Sequence, residues 1–292
     1  MSVYIHGGLR SPIGVLNGQY KHMRPEILGS QVIDEIINRY TISHIDGIFC
    51  GNAVGTGGNL GRLMGLMCNL PNSVPAITVD MQCASALMSI EIAYAHIVSG
   101  IMDSAIAGGI ESSSLQPERV YASGDDREGP YKVAQFTPQD QSPLAMLKGA
   151  ERTIHKYNVT KEDLYPHIIG SHQRASAALD NPYLQSYIMP ITIDGKRCID
   201  KCIRPTMNEK LLSRMKPLLG ADSITNAGNA CLTHDGAAFV YLSNKKGPFK
   251  IHSVKPWAGN PQFSPEGALE STEAILKRTG LTMDDIDVVE WN

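Results

Sequence analysis

One stretch of the sequence constrains the fold more than any other: a short apolar strand that leads, through a cysteine, into a long apolar helix. Residues 76–79 are Ala-Ile-Thr-Val, Cys83 follows, and the residues from there to Gly100 are mostly Ala, Ser, Leu, Met and Ile. A segment that is apolar around its whole circumference is typical of a helix inside a core. The sequence therefore predicts a helix buried on every side, with Cys83 near its N-terminus.

The position of Cys83 makes it a candidate nucleophile. Unpaired backbone N–H groups and the positive end of the helix dipole stabilise a thiolate at a helix N-terminus. A turn between a strand and a helix can also present one reactive atom to a substrate. A free cysteine more often fills space in a core without reacting, so the residue type alone leaves both roles open.

Composition and charge argue against several classes of protein. The chain has 292 residues, of which 42% are hydrophobic and 19% charged, as in globular rather than disordered proteins. A net charge of −3 gives no reason to expect binding to nucleic acid or to a membrane surface. Six irregularly spaced cysteines do not form a disulfide framework, and the polar start MSVYIHGGLR does not resemble a signal peptide. These features predict a cytoplasmic protein with reduced thiols.

Periodicity and composition predict the positions of the main elements. Strands are expected at 3–5, 45–50, 76–79, 239–242, 250–254 and 286–291, and further helices at 25–38, 145–157 and 266–279. Residues 121–131 are polar and contain Gly and Pro, which predicts a loop.

Two further motifs could suggest ligand sites, but their residue spacing does not match that of a dinucleotide-binding loop or of a metal site. The glycine-rich loop at residues 55–61 has one residue too many for a dinucleotide-binding fingerprint, and a simple turn explains its glycines. Cys198 and Cys202 are four residues apart, but no second pair of metal ligands lies near them in the sequence. We therefore predict neither a phosphate-binding loop nor a metal site.

Several segments together resemble motifs of the thiolase family. Cys83-Ala-Ser resembles the family's nucleophile motif, and Gly108-Gly109 followed by Glu111-Ser112 resembles its next strand. Residues 225–231, Thr-Asn-Ala-Gly-Asn-Ala-Cys, and the Asp-Gly-Ala-Ala segment at 235–238 resemble a second pair of family motifs. The resemblance extends, in order, over nearly the whole chain.

The resemblance implies an α/β protein of the thiolase fold, with layered mixed sheets around central helices. It assigns residues 1–116 and 225–246 to the thiolase N-terminal domain and residues 117–224 to a loop domain that covers the active site. Residues 247–292 would be the start of the C-terminal domain. The N-terminal half and the loop domain would then be complete, and the C-terminal half incomplete.

The resemblance also implies site residues. Catalytic roles fall on Cys83 and Asn292, the latter holding a water at an oxyanion hole. Contacts to coenzyme A fall on four residues: Arg204, Met146, Ala227 and Cys231. Arg204 would lie at the nucleotide end of the coenzyme, since a guanidinium stacks on adenine and pairs with phosphate. A surface salt bridge with Asp200 is the alternative for Arg204.

Three positions depart from the family pattern. Ala86 stands where the family usually has glycine, so a methyl group would narrow the acyl pocket near the thiol. Ala145 replaces a common histidine, and Cys231 replaces a common serine, which puts one hydrogen bond to the coenzyme in doubt.

The implied reaction is acyl transfer between coenzyme A thioesters, with the acyl group held as a thioester on Cys83. Acyl-CoA and coenzyme A would be substrates, and no permanently bound cofactor is expected. Neither the family's Gly-His-Pro segment, with its histidine base, nor its Cys-x-Gly-Gly segment, with its acid/base cysteine, occurs in these residues. We therefore expect either a homo-oligomer, dimer or tetramer, or a complex with a chain that carries the C-terminal half. The alternative is a non-catalytic acyl-CoA-binding or scaffold subunit.

Overall fold

The structure is a computed structural model that describes residues 1–55 and 57–291. Its contacts group the chain into two compact units. The first unit comprises Met1–Pro117, Leu179–Cys202 and Thr233–Val254, and the second comprises Glu118–Ala178, Ile203–Leu232 and Lys255–Asn292. Residues 179–202 thus group with the first unit, whereas the sequence assigned them to the loop domain. The assignment of the chain to thiolase domains stays a prediction.

The elements are as follows, in chain order. The strands are β1 (Tyr4–Arg10), β2 (Gly14–Val15), β3 (Gly47–Gly51), β4 (Ala76–Val79), β5 (Ser104–Ser112), β6 (Arg119–Val120), β7 (Pro130–Tyr131), β8 (Thr192–Ile193), β9 (Lys196–Arg197), β10 (His234–Ser243) and β11 (Phe249–Lys250). The helices are α1 (Pro25–Arg39), α2 (Leu60–Met67), α3 (Ser85–Val98), α4 (Ala145–Lys156), α5 (Lys161–Ala178), α6 (Pro182–Gln185), α7 (Glu209–Leu212) and α8 (Glu266–Thr279). Short 3₁₀ turns lie at Pro261–Phe263 and Met283–Asp285.

A mixed seven-stranded sheet forms the centre of the first unit. Six strands follow the order β11-β1-β10-β5-β3-β4, and β2 pairs with β10. β3 is parallel to both β4 and β5, while β10 is antiparallel to β1 and to β5. Because β3, β4 and β5 are parallel, their carboxyl ends meet at one edge of the sheet, where ligands commonly bind in α/β folds.

Helices cover both faces of this sheet. The face toward α1 and α2 buries apolar residues from the helices and the strands: Leu28, Val32, Ile33, Ile36, Met64, Ile48, Ile106 and Phe239. The face toward α3 buries a second set: Phe49, Ala93, Ile97, Ala105, Ala107 and Leu242. Neighbouring strand residues therefore alternate between two apolar cores, as expected for a sheet covered on both sides.

Most predicted elements are confirmed. The helices predicted at 25–38, 145–157 and 266–279 correspond to α1, α4 and α8 to within one residue at each end. The strand predicted at 3–5 extends to Arg10 because β1 pairs with β10 along most of its length. The predicted loop at 121–131 contains part of a short hairpin, in which β6 pairs with β7.

Helix α3 is buried along one stripe only, so the predicted burial on every side is wrong. Ser85, Ser89, Ala93 and Ile97 recur at every fourth position and are buried. On another side of the helix, Leu87 is 60% exposed. An apolar sequence shows that a helix can be buried on a given face, but not that a partner covers that face.

Two strands predicted near the C-terminus also differ from the structure. The strand predicted at 250–254 is reduced to β11, which pairs with β1 at the edge of the first unit's sheet instead of opening a second sheet. Residues 286–291 form no strand, and Val288 is 75% exposed. A strand requires a neighbour that completes its backbone hydrogen bonds, and no described residue pairs with this segment.

In the second unit, α4 and α8 are joined by polar contacts. The Glu266 carboxylate accepts hydrogen bonds from the Lys156 ammonium group and from the Tyr157 hydroxyl, the latter at 2.7 Å. The Arg152 guanidinium donates to the backbone carbonyl of Gln262 at 2.7 Å. These contacts fix the end of α4 against the start of α8.

Asp200 fixes the segment after β9 to the residues that follow β1. Its carboxylate accepts two hydrogen bonds from the Arg10 guanidinium, at 2.8 and 2.7 Å, and one from the Ile13 N–H at 2.7 Å. Burial alone would raise the pKa of Asp200, but these hydrogen bonds outweigh burial and hold the pKa below its usual value. The structure thus shows Arg10 as a salt-bridge partner of this carboxylate, at 2.7 Å, whereas the sequence suggested Arg204.

Among residues 1–55 and 57–291, which the structure describes, neither a membrane-spanning helix nor a metal-binding cluster is found. No helix there combines the length and the apolar character needed to cross a membrane. The same residues include no group of three or more His, Cys, Asp or Glu side chains that could hold a metal ion.

We expect Asp200→Asn to lower the free energy of unfolding at pH 7 by roughly 1–3 kcal/mol, through the loss of charge-assisted hydrogen bonds. Because folding lowers the pKa of Asp200, its contribution is present above the unfolded-state pKa of about 3.9 and is lost as the pH falls through the folded-state value. Urea unfolding should therefore show a difference from wild type that shrinks on acidification. Asp180→Asn, at an exposed carboxylate, is the control. An equal deficit at every pH would contradict this account.

Candidate active site

Cys83 lies in a tight turn between β4 and α3, and its side chain is exposed. Gln82, the residue before it, has a φ of 52°, in the left-handed region that residues other than glycine rarely adopt. Such a conformation costs about 1–3 kcal/mol and persists only where the surrounding contacts hold it. Backbone strain thus lies directly beside the candidate nucleophile.

Local hydrogen bonds close this turn. The Gln82 N–H donates to the Asp80 carboxylate at 2.8 Å, and the Met81 N–H donates to the Ser85 hydroxyl at 2.8 Å. The Ala84 N–H donates to the carbonyl oxygen of Met81 at 3.1 Å. Cys83 therefore stands immediately before the first turn of α3, where the helix has N–H groups without partners in the helix.

Two glycines of the sheet allow the first turn of α3 to lie directly on it. A Cβ atom at Gly51 would lie 2.4 Å from the carbonyl carbon of Ser85 and 2.5 Å from the Ala86 nitrogen. A Cβ atom at Gly109 would lie 2.9 Å from the carbonyl oxygen of Gly51 and 3.0 Å from the Ala86 Cβ. The close approach of helix and sheet therefore depends on the absence of side chains on β3 and β5.

Ala86, where the family usually has glycine, directs its methyl group toward Gly109 of β5. It also lines an apolar groove in the first unit together with Leu87 and Ile90. The methyl group is thus accommodated by a glycine of the sheet. The predicted narrowing of an acyl pocket stays a prediction.

Glu111, near the end of β5, organises the loop that follows β3. Its carboxylate accepts hydrogen bonds from the Asn52 amide and from the backbone N–H groups of Ala53 and Val54, each at 2.9 Å. The sequence marked Glu111 as part of a motif but suggested no role for it. Farther along the same loop, Gly57 has a φ of 78°, which agrees with the interpretation of these glycines as turn residues.

The exposed thiols differ chemically from the buried ones. Burial raises the pKa of Cys50 and of Cys68 to about 12, and it also raises the pKa of Cys198. Cys83 and Cys231 are exposed. Since the thiolate is the reactive form, nucleophilic chemistry is expected at the exposed cysteines and not in the core.

The residues expected to contact coenzyme A lie in the second unit. Met146 belongs to the first turn of α4 and is 42% exposed. Ala227 is exposed in a tight loop, where the Asn226 side chain accepts a hydrogen bond from the Gly228 N–H at 2.7 Å. Cys231, farther along, has its sulfur 3.2 Å from the carbonyl oxygen of Leu232.

Glu151 of α4 anchors this loop, a role that no sequence pattern indicated. Its carboxylate accepts hydrogen bonds from the backbone N–H groups of Ile224 (2.7 Å) and Thr225 (2.9 Å), and from the hydroxyls of Thr225 (2.5 Å) and Ser223 (3.1 Å). Burial would raise the pKa of Glu151, but the hydrogen bonds outweigh it and lower the pKa. The helix that carries Met146 is thereby tied to the loop that carries Ala227.

Arg204 is held through its backbone by helix α5. Its N–H donates to the Nδ1 atom of His172 at 3.2 Å. Burial and the nearby charge of Arg204 lower the pKa of His172, so the ring is neutral near pH 7 and Nδ1 can accept this bond. Asn292, the second predicted catalytic residue, lies outside the described residues.

Comparison with known proteins identifies the family. Residues 3–246 match the family model of the thiolase N-terminal domain. A Staphylococcus epidermidis protein named "Putative acetyl-CoA C-acetyltransferase VraB" is 31% identical to this chain, over 97% of the chain and 78% of that protein. The chain belongs to the thiolase family. A protein of the same name from Staphylococcus aureus (strain MSSA476) is 30% identical, with the same shares covered.

Solved thiolase structures share this fold. Human mitochondrial 3-ketoacyl-CoA thiolase in complex with CoA matches with a TM-score of 0.89 and 24% identity, covering 98% of this chain and 78% of that one. The Bacillus anthracis acetyl-CoA acetyltransferase matches with a TM-score of 0.85 and 23% identity, with the same coverage. The predicted α/β class and thiolase fold are confirmed.

We expect Glu151→Gln to loosen the loop at 223–229. The carboxylate accepts hydrogen bonds through both oxygens, whereas the amide of glutamine would turn an NH₂ donor toward some of the same backbone N–H groups. The loss should be roughly 1–3 kcal/mol in local stability. Hydrogen exchange at the Ile224 and Thr225 amides should accelerate more than exchange within α4. Glu162→Gln, at an exposed glutamate of α5, is the control. Unchanged exchange at both amides would show that Glu151 does not order the loop.

Proposed function

We propose that this chain is a thiolase-type acyltransferase that carries the acyl group on Cys83. The observation that carries the proposal is the exposed cysteine in a strained turn at the N-terminus of α3, in a chain of the thiolase family. The substrates are coenzyme A thioesters, and no permanently bound cofactor takes part. The overall reaction is condensation of acetyl-CoA or thiolysis of a 3-oxoacyl-CoA.

In the first step, the Cys83 thiolate attacks the thioester carbonyl of an acyl-CoA. A bond forms between Sγ and the carbonyl carbon, the bond from that carbon to the coenzyme sulfur breaks, and the leaving thiolate takes up a proton. A second acyl-CoA, deprotonated beside its carbonyl, then accepts the acyl group from Cys83. The N-terminus of α3 supports this chemistry because its free N–H groups favour negative charge.

The coenzyme is proposed to bind to the second unit through four residues: Arg204, Met146, Ala227 and Cys231. The anchoring of one loop by Glu151 supports this, since an exposed alanine on a fixed backbone lets the thin pantetheine arm approach closely. The half-buried Arg204 suits the nucleotide end, where a guanidinium stacks on adenine or pairs with phosphate.

Turnover is proposed to require a further segment that supplies the histidine base and the second cysteine. Neither motif occurs in these 292 residues. The free side of α3 supports this proposal, because Leu87, Ile90 and Val240 line an apolar groove of about 510 Å³. A segment packed in this groove would bury it, whether it belongs to the same polypeptide or to a partner chain, and dimers or tetramers of the completed protein are expected.

One alternative function belongs to a different class. The chain could serve as a non-catalytic acyl-CoA-binding or scaffold subunit of a thiolase-like complex. In that case Cys83 would not take up an acyl group even when acyl-CoA is bound. Uptake of an acyl group by Cys83 therefore distinguishes the two functions.

We expect residues 1–292, expressed alone, to transfer no more than one acyl group per chain. Cys83 would act without its base, without much of the oxyanion hole and without the second proton carrier. The measurement is thiolysis of acetoacetyl-CoA, with the oligomeric state determined in parallel, since the exposed apolar groove should cause association. A monomer or ordinary dimer that turns over at typical enzyme rates, on the order of 1–10³ per second, would contradict the proposal.

Arg204→Ala should weaken binding of coenzyme A and leave binding of a short pantetheine thioester nearly unchanged. A charge-assisted hydrogen bond contributes at most roughly 1.5–3 kcal/mol, about tenfold or more in Kd. Titration calorimetry with both ligands makes the comparison, and Arg214→Ala, an exposed arginine of the same unit, controls for the change in net charge. Equal weakening for both ligands would exclude a role at the nucleotide end.

A further inference from the structure

The Ser85 hydroxyl closes the turn on which Cys83 stands. Ser85 is only 4% exposed. Its Oγ accepts a hydrogen bond from the Met81 N–H at 2.8 Å and donates one to the carbonyl oxygen of Gln82 at 2.5 Å. One buried hydroxyl therefore holds both residues that precede the candidate nucleophile.

These bonds act on a strained backbone. Gln82 has a φ of 52°. A residue with a side chain keeps this strained conformation only where surrounding contacts stabilise it. The Gln82 carbonyl oxygen also accepts a hydrogen bond from the Ser85 N–H at 3.0 Å, and this bond does not involve the hydroxyl. The Met81 N–H, in contrast, donates to the Ser85 hydroxyl. Without the hydroxyl, the Met81 N–H would lose this acceptor and Gln82 would be free to relax, and Cys83 would move with it.

Ser89, one helical turn later, provides an internal comparison. It is fully buried on the same stripe of α3, and its hydroxyl accepts a hydrogen bond from the Gly108 N–H at 2.8 Å. The carbonyl oxygens of Ala86 (2.7 Å) and Gly108 (2.8 Å) are both within reach of its single O–H donor. Ser89 thus ties the helix to β5, whereas Ser85 bonds to the turn at 81–83. Both serines are buried and hydrogen-bonded, but Ser85 bonds to the turn before Cys83 and Ser89 bonds to strand β5.

We infer that Ser85 is a positioning residue for the Cys83 thiol: its hydroxyl fixes the left-handed conformation of Gln82 and so aims the sulfur. This inference rests on the proposed role of Cys83 in acyl transfer. A displaced thiol should react more slowly with bound acyl-CoA, while the affinity for acyl-CoA, which depends on other residues, should stay the same.

The test measures acetylation of Cys83 by acetyl-CoA on the full chain, as a rate against concentration, in wild type, Ser85→Ala and Ser89→Ala. We expect Ser85→Ala to lower the rate at saturation by about tenfold or more and to change the half-saturating concentration by less than about twofold. Ser89→Ala should lower the melting temperature similarly but keep the rate within about threefold of wild type.

A second variant separates positioning from general destabilisation. Glycine adopts the left-handed conformation without strain, so Gln82→Gly should hold the turn without the hydroxyl. In the Gln82→Gly background, Ser85→Ala should reduce the rate by about threefold or less, and this double variant keeps the test available if Ser85→Ala alone does not fold. Equal rates for wild type and Ser85→Ala, or the same loss in both backgrounds, would overturn the role of Ser85. No acetylation of wild-type Cys83 would instead overturn the proposed function, and this inference with it.

Discussion

The structure depends on the close contact between the first turn of α3 and two glycines of the sheet, Gly51 and Gly109. A single Cβ atom at either position would collide with backbone or with Ala86. Because this contact holds the start of the helix against β3 and β5, Cys83 is presented at the end of parallel strands instead of being covered by them. The strained turn at Gln82 and the hydroxyl of Ser85 then refine the position of the thiol.

Three carboxylates perform a common task around this framework. Glu111, Asp200 and Glu151 each accept hydrogen bonds from backbone N–H groups of a loop. Folding lowers the pKa of Asp200 and Glu151 despite their burial, which means that the ionised form is the one that the loops stabilise. The loop that carries Ala227, a candidate contact to substrate, is thus fixed by charge-assisted bonds to Glu151, while Ala227 itself stays exposed.

The sequence predicted what local patterns and family motifs encode, and it missed what distant residues supply. Apolar periodicity located α1, α4 and α8, and the motif around Cys83 located the turn before α3. The predictions that α3 is buried on every side and that residues 286–291 form a strand were wrong. An apolar pattern indicates a preference for burial but not the presence of a partner segment. Glu151 carried no local signal, because it bonds residues more than seventy positions away. Ser85 belonged to the motif around Cys83, but no sequence pattern indicated which backbone groups its hydroxyl would bond. Likewise, Asp200 had a nearer candidate in sequence, Arg204, than its actual partner Arg10.

The central claim is that Cys83 accepts an acyl group from coenzyme A thioesters. The most direct measurement is peptide mass spectrometry of the full chain after incubation with acetyl-CoA, with Cys83→Ser treated in parallel. The account predicts one acetyl group on the peptide that contains Cys83, removed by hydroxylamine, and none on that peptide in Cys83→Ser. Acetylation of Cys231 in preference, or an unmodified Cys83 in a chain that demonstrably binds acetyl-CoA, would contradict it.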